Sequence, residues 1–150
     1  MNPKFFLGLS ALLVGIGLNY LGDRLLGVRL EFYSGLATFS FAWVLDIVMV
    51  PFFAGFAVSW IYGRGGMWIS IFPPLIVHSF SYFEAANVSG IPEGVILNSL
   101  SWWFVFIMMT MNIAVFGGII GEVVKKRTYG RSSLITIKKS TPASSEARDT

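Results

Sequence analysis

Long runs of apolar residues, without regular polar interruptions, dominate the chain. Four runs reach or approach the roughly 20 residues that a helix needs to cross a bilayer, at 5–21, 36–62, 67–83 and 95–124. In hydrocarbon the backbone must satisfy its own hydrogen bonds, which leaves helices or closed barrels. Because the runs do not alternate with a period of two, they predict helices. We therefore expect an all-α integral membrane bundle of four transmembrane helices within residues 1–127.

Glycine, proline and charged residues mark the ends of these runs. Residues 63–66 read Gly-Arg-Gly-Gly, which predicts a tight turn between the second and third runs. Pro73 and Pro74 lie inside the third run and should loosen its helix. The first run ends before Asp23 without a convincing small-x-small cleavage site, so we interpret it as an uncleaved anchor.

The amino-acid composition also indicates a protein embedded in lipid. It is 55% hydrophobic and only 13% charged, whereas soluble domains are roughly 45–50% apolar and about 25% charged. A soluble domain of 150 residues has too much surface for its volume to bury so many apolar side chains. The absence of cysteine excludes disulfides, thiolate metal ligands and a cysteine nucleophile.

Basic charge is concentrated at the end of the chain. From residue 122 onward the net charge is +4, whereas the preceding residues sum to −1. The positive-inside rule then places this segment and Arg64 in the cytoplasm, and the acidic loop at 84–94 outside. Both termini are predicted to be cytoplasmic, in a plasma membrane or bacterial inner membrane. Arg24 and Arg29, in the first outer loop, oppose this orientation.

The segment at 128–150 is predicted to be a flexible cytoplasmic tail. It is rich in serine, threonine and charge, and it cannot bury enough apolar surface to order itself. Within it, residues 134–137 would form a short strand only with a partner. Basic residues beside the last span should bind anionic lipid headgroups, at about 1 kcal/mol each. These residues are Lys125, Lys126, Arg127 and Arg131.

Asp46 is the first candidate for a functional residue, because ionisable groups inside a membrane are costly and often functional. It lies near the middle of the second run, and Pro51 leaves a carbonyl of the same helix without its usual donor. His78, Ser81 and Glu84 form a polar stripe on one face of the third run. Asp46, His78 and Glu84 are therefore candidate proton or ion ligands. The alternative is that Asp46 and His78 bond neighbouring helices and that Glu84 marks the membrane edge.

Other polar and small residues indicate helix packing rather than chemistry. Asn98, Ser101 and Asn112 share one face of the fourth run, where such side chains commonly bond between helices at about 1 kcal/mol or less. Small residues recur four apart in two runs, which indicates close contact between backbones. They are Ala11 and Gly15 in the first run, and Gly117 and Gly121 in the fourth.

No catalytic motif appears in the sequence. A phosphate-binding glycine loop, an HExxH motif and a supported Ser-His-Asp set are all missing. A single histidine cannot form a bis-histidine haem or metal site, so no cofactor or metal is expected. The basic charge indicates topology rather than nucleic-acid binding. We expect the lipid bilayer, and either another membrane protein or a second copy, as partners.

Three functions remain open from the sequence. The first is a small accessory or scaffold subunit that packs against larger membrane proteins. The second is an oligomeric proton- or ion-coupled transporter or channel subunit that uses Asp46. The third is a membrane-embedded enzyme acting on lipid, with His78 and Asp46 as acid and base. The first two are distinguished by whether Asp46 faces His78 across a polar cavity or points to an outer groove.

Overall fold

A computed structural model describes the backbone of residues 3–139 and the side chains of residues 4–35 and 38–128. Helices dominate it, and two very short strands form a small sheet. The elements in chain order are α1 (Pro3–Leu26), β1 (Phe32–Tyr33), a 3₁₀ helix (Gly35–Phe39), α2 (Phe41–Tyr62), α3 (Gly66–Ile69), α4 (Phe72–Asn87), β2 (Ile96–Leu97) and α5 (Leu100–Lys139). The prediction of an all-α protein is confirmed.

Three helices among the described residues are long and apolar enough to cross a membrane. They are Lys4–Leu26, Phe41–Tyr62 and Leu100–Thr128, within α1, α2 and α5 respectively. Their outward surfaces are lined with large apolar side chains, as expected where lipid replaces water. The chain is therefore a largely helical, small membrane protein.

The third predicted run, 67–83, is divided between two helices. Pro73 and Pro74 have no N–H to donate to the preceding turn, so α3 ends at Ile69 and α4 begins at Phe72. The hydroxyl of Ser70 fills the break, because its Oγ lies within hydrogen-bonding distance of two backbone carbonyls. Its partners are Gly55 at 3.1 Å and Gly66 at 3.0 Å. With 16 residues, α4 is shorter than the three candidate spans.

The most extensive packing joins α2 to α5, and glycine makes it possible. A Cβ atom at Gly55 would lie 2.0 Å from the carbonyl oxygen of Ala114. One at Gly117 would lie 2.0 Å from the carbonyl oxygen of Phe52. Only hydrogen fits at these positions, so the two backbones touch directly. The close packing predicted from the glycine spacing in the fourth run is thus confirmed.

The helices alternate in direction. Phe52 and Phe56 of α2 meet Gly117 and Gly121 of α5 in that order, so α2 and α5 run parallel. Similarly, α1 runs parallel to the α3–α4 segment, because Gly8 meets Ile69 and Gly15 meets Pro73. The α3–α4 segment, which follows α2 and precedes α5 in the sequence, therefore returns the chain to the end of the bundle where α2 begins.

One end of the bundle, called the sheet end here, holds β1 and β2. The strands pair antiparallel, with Phe32 opposite Leu97. Asn98 follows directly and ties this sheet to the chain before it. Its Nδ2 donates to the carbonyl of Leu30 at 2.8 Å, and its backbone N–H donates to that of Glu31 at 2.7 Å.

The opposite end, called the turn end, holds the tight turn at 63–65 between α2 and α3. Two side chains of α5 fasten this turn. Glu122 accepts a hydrogen bond from the backbone N–H of Met67 at 3.0 Å, and Lys125 donates to the carbonyl of Ile61 at 2.8 Å. These bonds satisfy backbone groups at the start of α3 and the end of α2, which would otherwise lack helical partners.

The helix boundaries differ from the predicted ones for local reasons. The second helix starts at Phe41 rather than residue 36, because Ser40 caps it by accepting a bond from the N–H of Trp43. The last helix begins at Leu100 rather than residue 95, since β2 occupies the intervening chain. It continues to Lys139, so residues 134–137 are helical rather than a strand, and residues 128–139 belong to α5 rather than to the predicted tail. Residues 140–150 of the predicted tail lie outside the described part.

Candidate ion-binding site

Asp46 is buried inside the bundle at the sheet end. The residue is only 2% exposed, so its side chain does not point to lipid. Among the described residues, neither carboxyl oxygen of Asp46 receives a hydrogen bond from a donor. It lies five residues after Phe41, which is roughly 8 Å along α2 at 1.5 Å per residue. Because α2 begins later than predicted, Asp46 is nearer the sheet end than the middle of the span.

Asp23 is the immediate partner of Asp46. Asp23 belongs to the last turn of α1, which extends to Leu26 instead of ending at residue 21. The two carboxyls lie close enough for the ionisation of one to influence the other. The site therefore pairs two acids from different helices, α1 and α2.

His78, on α4, lies beside Asp23 of α1. Its Nδ1 lies 3.8 Å from Oδ2 of Asp23, and the residue is 3% exposed. The structure thus places His78 beside Asp23, with Asp23 next to Asp46. An enzyme using His78 and Asp46 as acid and base would therefore have a second carboxyl, that of Asp23, beside its histidine.

A cavity of about 150 Å³ leads from the surface of the sheet end to Asp23. Ser81 and Glu84, predicted as the outer part of the polar stripe, both line it. Glu84 is exposed and accepts a hydrogen bond from Ser89 at 3.2 Å. The remaining lining residues come from the end of α1 and the following loop. They are Tyr20, Arg24, Gly27, Val28, Arg29, Leu30 and Glu31.

Glu31 is a buried acid on the wall of this cavity, outside the helices. It is only 3% exposed. Burial, together with the nearby charges of Asp23 and Glu84, raises the pKa of Glu31 from its ordinary value of 4.5 to about 7. The surrounding backbone and Arg29 act in the opposite direction. Glu31 therefore gains or loses its proton near neutral pH.

Asn19 lies one helical turn before Asp23, on the same face of α1. The residue is 0% exposed. Neither its amide oxygen nor its amide nitrogen has a hydrogen-bond partner in the described part of the chain. Burying an amide without partners costs roughly 2–7 kcal/mol, so this is an energetically unusual position.

Asn98, Ser101 and Asn112, predicted from sequence to bond between helices, make other contacts in the described part of the chain. Asn98 lies before α5 and holds the sheet rather than a helix interface. Ser101 is exposed and pairs with Ser99, while Asn112 is exposed and donates to the carbonyl of Met108 in its own helix at 2.6 Å. Ser101 and Asn112 thus present polar groups on the outer surface of α5.

The basic residues predicted to bind headgroups divide into two kinds. Lys125 is partly buried and bonds Ile61, whereas Lys126 and Arg127 are exposed. Lys125 and Lys126 also line, with Arg64, a cavity of about 630 Å³ at the turn end. The side chain of Arg131 lies outside the described residues. Headgroup binding stays a prediction for all four of the basic residues named from the sequence.

Sequence reasoning predicts Asp46, His78 and Glu84 as site residues but not Asp23, which lies beside His78 and lines a cavity with Glu84. From sequence, the first span ends at residue 21 and Asp23 falls in the charged segment after it. A usable signal was present: the small-residue face of Ala11 and Gly15 continues at the same spacing of four through Asn19 and Asp23. Glu31 was also missed, because an acid beside Arg29 in a loop ordinarily faces water.

No group of three or more histidine, cysteine, aspartate or glutamate side chains within the described residues could hold a metal ion. Comparisons with protein-family models, curated proteins and solved structures find no match to this chain. The fold and the site together define a small, mostly helical membrane protein with a buried acidic cluster open to one end. Its activity has to be inferred from that cluster.

Proposed function

We propose that this protein is a subunit of an oligomeric ion-coupled transporter or channel, in which Asp23 and Asp46 bind the transported or coupling ion. The observation that carries the proposal is that Asp46, on α2, and Asp23, on α1, bring carboxyl oxygens into the bundle that have no hydrogen-bond donor among the described residues. Ionisable side chains within membrane helices are costly and commonly mark ion or proton pathways. This reverses the order suggested by the sequence, where an accessory role ranked first.

The chemistry of a buried acid pair favours a positive ion. Two carboxylates in contact repel each other strongly where the effective dielectric constant is low. A proton shared between Asp23 and Asp46, or a cation bound beside them, removes that repulsion. His78, at 3.8 Å from Asp23, is placed to exchange a proton with the pair.

Access from one side of the membrane supports the same function. The cavity at the sheet end reaches Asp23 and carries Glu31 and Glu84 on its wall. Acidic walls raise the local concentration of cations. Arg24 and Arg29 also line the cavity, and their charge limits this attraction. An ion would enter past these residues and stop at the buried pair.

We further propose that the chain crosses the membrane four times, with both termini in the cytoplasm. The parallel contact of α2 with α5 supports four crossings, because the α3–α4 segment must return the chain along the bundle. The positive-inside rule assigns the turn end, with Arg64 and the basic residues after Glu122, to the cytoplasm. The acidic cavity then opens to the outside of a plasma or bacterial inner membrane.

Ion flux in liposomes tests the proposal. The purified full chain is reconstituted in liposomes under an imposed gradient of protons, Na⁺ or K⁺, and uptake is measured with an entrapped dye sensitive to the ion tested. Wild-type protein should show uptake that Asp46→Asn and Asp23→Asn reduce at least tenfold. Glu93→Gln, which removes an exposed loop acid, is the matched control and should keep full activity. Absence of wild-type uptake of every ion, or full uptake by Asp46→Asn, would contradict the proposal.

A second candidate function is the accessory or scaffold subunit, and Asn112 favours it. Asn112 lies twelve residues into α5, about 18 Å from its start, with its amide on the outer surface. An exposed amide at this depth is stabilised when another helix covers it. Purification from native membranes at low detergent should then recover a partner that Asn112→Leu releases. Recovery of this chain alone would contradict the accessory role.

A further inference from the structure

Four oxygen atoms at the sheet end of the bundle have no hydrogen-bond donor among the described residues. They are Oδ1 of Asn19, Oδ1 of Asp23, and Oδ1 and Oδ2 of Asp46. Asn19 is entirely buried one helical turn before Asp23 on the same face of α1, and the charge of Asp46 acts on Asp23. The three side chains therefore bring four unpartnered acceptor oxygens together with one unpartnered donor, the Nδ2 of Asn19.

We propose that Asn19, Asp23 and Asp46 form a binding site for Na⁺, which would make Na⁺ the coupled cation. This inference rests on the proposed function, because it names the ion bound by the same carboxyl pair. Hard cations are bound in proteins by carboxylate and amide oxygens, which are the atoms that this cluster supplies. A proton needs at most two of these oxygens, and a proton alone would leave the buried amide of Asn19 without a partner.

The charge of the cluster favours a monovalent ion. Two neighbouring acids repel when both are ionised, so a pair that retains one proton carries a single negative charge. Within the described residues, His78 is the one side chain at ion-pairing distance from Asp23. A single positive charge therefore neutralises the cluster.

The number of oxygens argues against the common divalent cations. Ca²⁺ takes six to eight oxygen ligands, and Mg²⁺ requires near-octahedral geometry and gives up its water reluctantly. The three side chains carry five oxygens in all, of which four have no donor among the described residues, so they do not fill the shell of a divalent ion by themselves. Water entering from the cavity beside Asp23 would complete the smaller shell of Na⁺.

Direct binding of radioactive Na⁺ to the purified full chain in neutral-lipid nanodiscs tests this inference. Wild-type protein should bind Na⁺ saturably, in preference to K⁺ and Ca²⁺ offered at the same ionic strength. Asn19→Leu removes the amide oxygen and should weaken Na⁺ binding at least tenfold. Asn112→Leu, the same exchange on the outer surface of α5, is the matched control and should leave binding unchanged.

A second variant of Asn19 distinguishes loss of the site from misfolding of Asn19→Leu. Asn19→Ser keeps one oxygen, so it should retain a measurable part of the Na⁺ affinity. Thermal unfolding provides a second readout: NaCl, compared with choline chloride, should stabilise the wild type and Asn112→Leu but not Asn19→Leu.

The outcomes separate this inference from the proposed function. If wild-type protein binds no Na⁺, or binds K⁺ or Ca²⁺ equally well, the assignment of Na⁺ is wrong. Proton flux that still depends on Asp46 would then leave the transporter proposal standing. Conversely, Na⁺ binding that is lost in Asn19→Leu supports the site even where no flux is detected, and such a result would reject transport instead.

Discussion

Lys125 donates a hydrogen bond of 2.8 Å from Nζ to the carbonyl oxygen of Ile61, so that the last helix of the bundle caps the second. Ile61 lies in the final turn of α2, where carbonyl oxygens have no donor from the helix itself. A positive charge at this position also interacts favourably with the helix dipole. Lys125 therefore has a structural role that the exposed Lys126 does not share.

Replacing Lys125 should destabilise the turn end. In Lys125→Met the carbonyl of Ile61 loses its donor and α2 loses a favourable charge, which together cost about 1–3 kcal/mol. Unfolding of the purified protein in mixed micelles measures the change. Lys126→Met removes an exposed charge one residue away and should alter stability by less than about 0.5 kcal/mol. Equal effects of the two changes would rule out the capping role.

The contact between α2 and α5 should not tolerate a methyl group at Gly117. A Cβ atom there would lie 2.0 Å from the carbonyl oxygen of Phe52, so Gly117→Ala must push the two helices apart. We expect a loss of about 1–3 kcal/mol or more, as for overpacking in a core. Gly17→Ala is the control, since nothing lies within 4 Å of a Cβ at Gly17. A stable Gly117→Ala protein with unchanged unfolding would contradict the packing described.

Stability should fall as the pH rises through the titration of Glu31. Its pKa in the folded protein is about 7, above the ordinary 4.5, so the protonated acid favours the folded state. This stabilisation is complete below pH 4.5, decreases between 4.5 and 7, and is absent above 7. The difference corresponds to at most about 3 kcal/mol.

Thermal unfolding between pH 4 and 8 measures this effect. Glu31→Gln cannot ionise, so its melting temperature should depend less on pH than that of the wild type. Glu93→Gln, which changes an exposed acid of the loop before β2, should keep the wild-type profile. A Glu31→Gln profile parallel to that of the wild type would show that another group is responsible.

Asn98 should stabilise the sheet end locally. Asn98→Ala removes the donor to the carbonyl of Leu30 and should cost about 1–2 kcal/mol. Hydrogen exchange of the amides at 30–33 should accelerate, while exchange within α2 stays slow. Asn87→Ala is the control, because Asn87 is exposed and bonds only its own helix at Phe83 among its described contacts. Unchanged protection at 30–33 would exclude this role for Asn98.

The long helices could be predicted from sequence because their cause is local. A run of apolar residues such as 100–124 must satisfy its backbone internally wherever it meets lipid, whatever it packs against. Boundaries were less predictable, since they depend on single side chains. Ser40 starts α2 by capping it, and Pro73 with Pro74 divides the third run into α3 and α4.

The site could be predicted only in part, because it depends on packing between helices. Asp46 and His78 stood out individually as polar residues in apolar runs. Their connection through Asp23 requires α1 to extend past residue 21 and to pack against both α2 and α4. Nothing within a single helix specifies that arrangement, so the acid pair became visible only in the folded chain.

The direction of α2 and α5 has a consequence for how the protein is made. Parallel neighbours cannot be joined by a short loop, and residues 63–99 separate these two helices in the chain. During synthesis α2 therefore leaves the ribosome well before its main packing partner. Until α5 arrives, the bare backbone at Gly55 must be covered by lipid or by an assembly factor. A chain stopped before residue 100 would insert α1, α2 and the α3–α4 segment with the α5-facing side of α2 uncovered, which is the form that membrane quality control should remove.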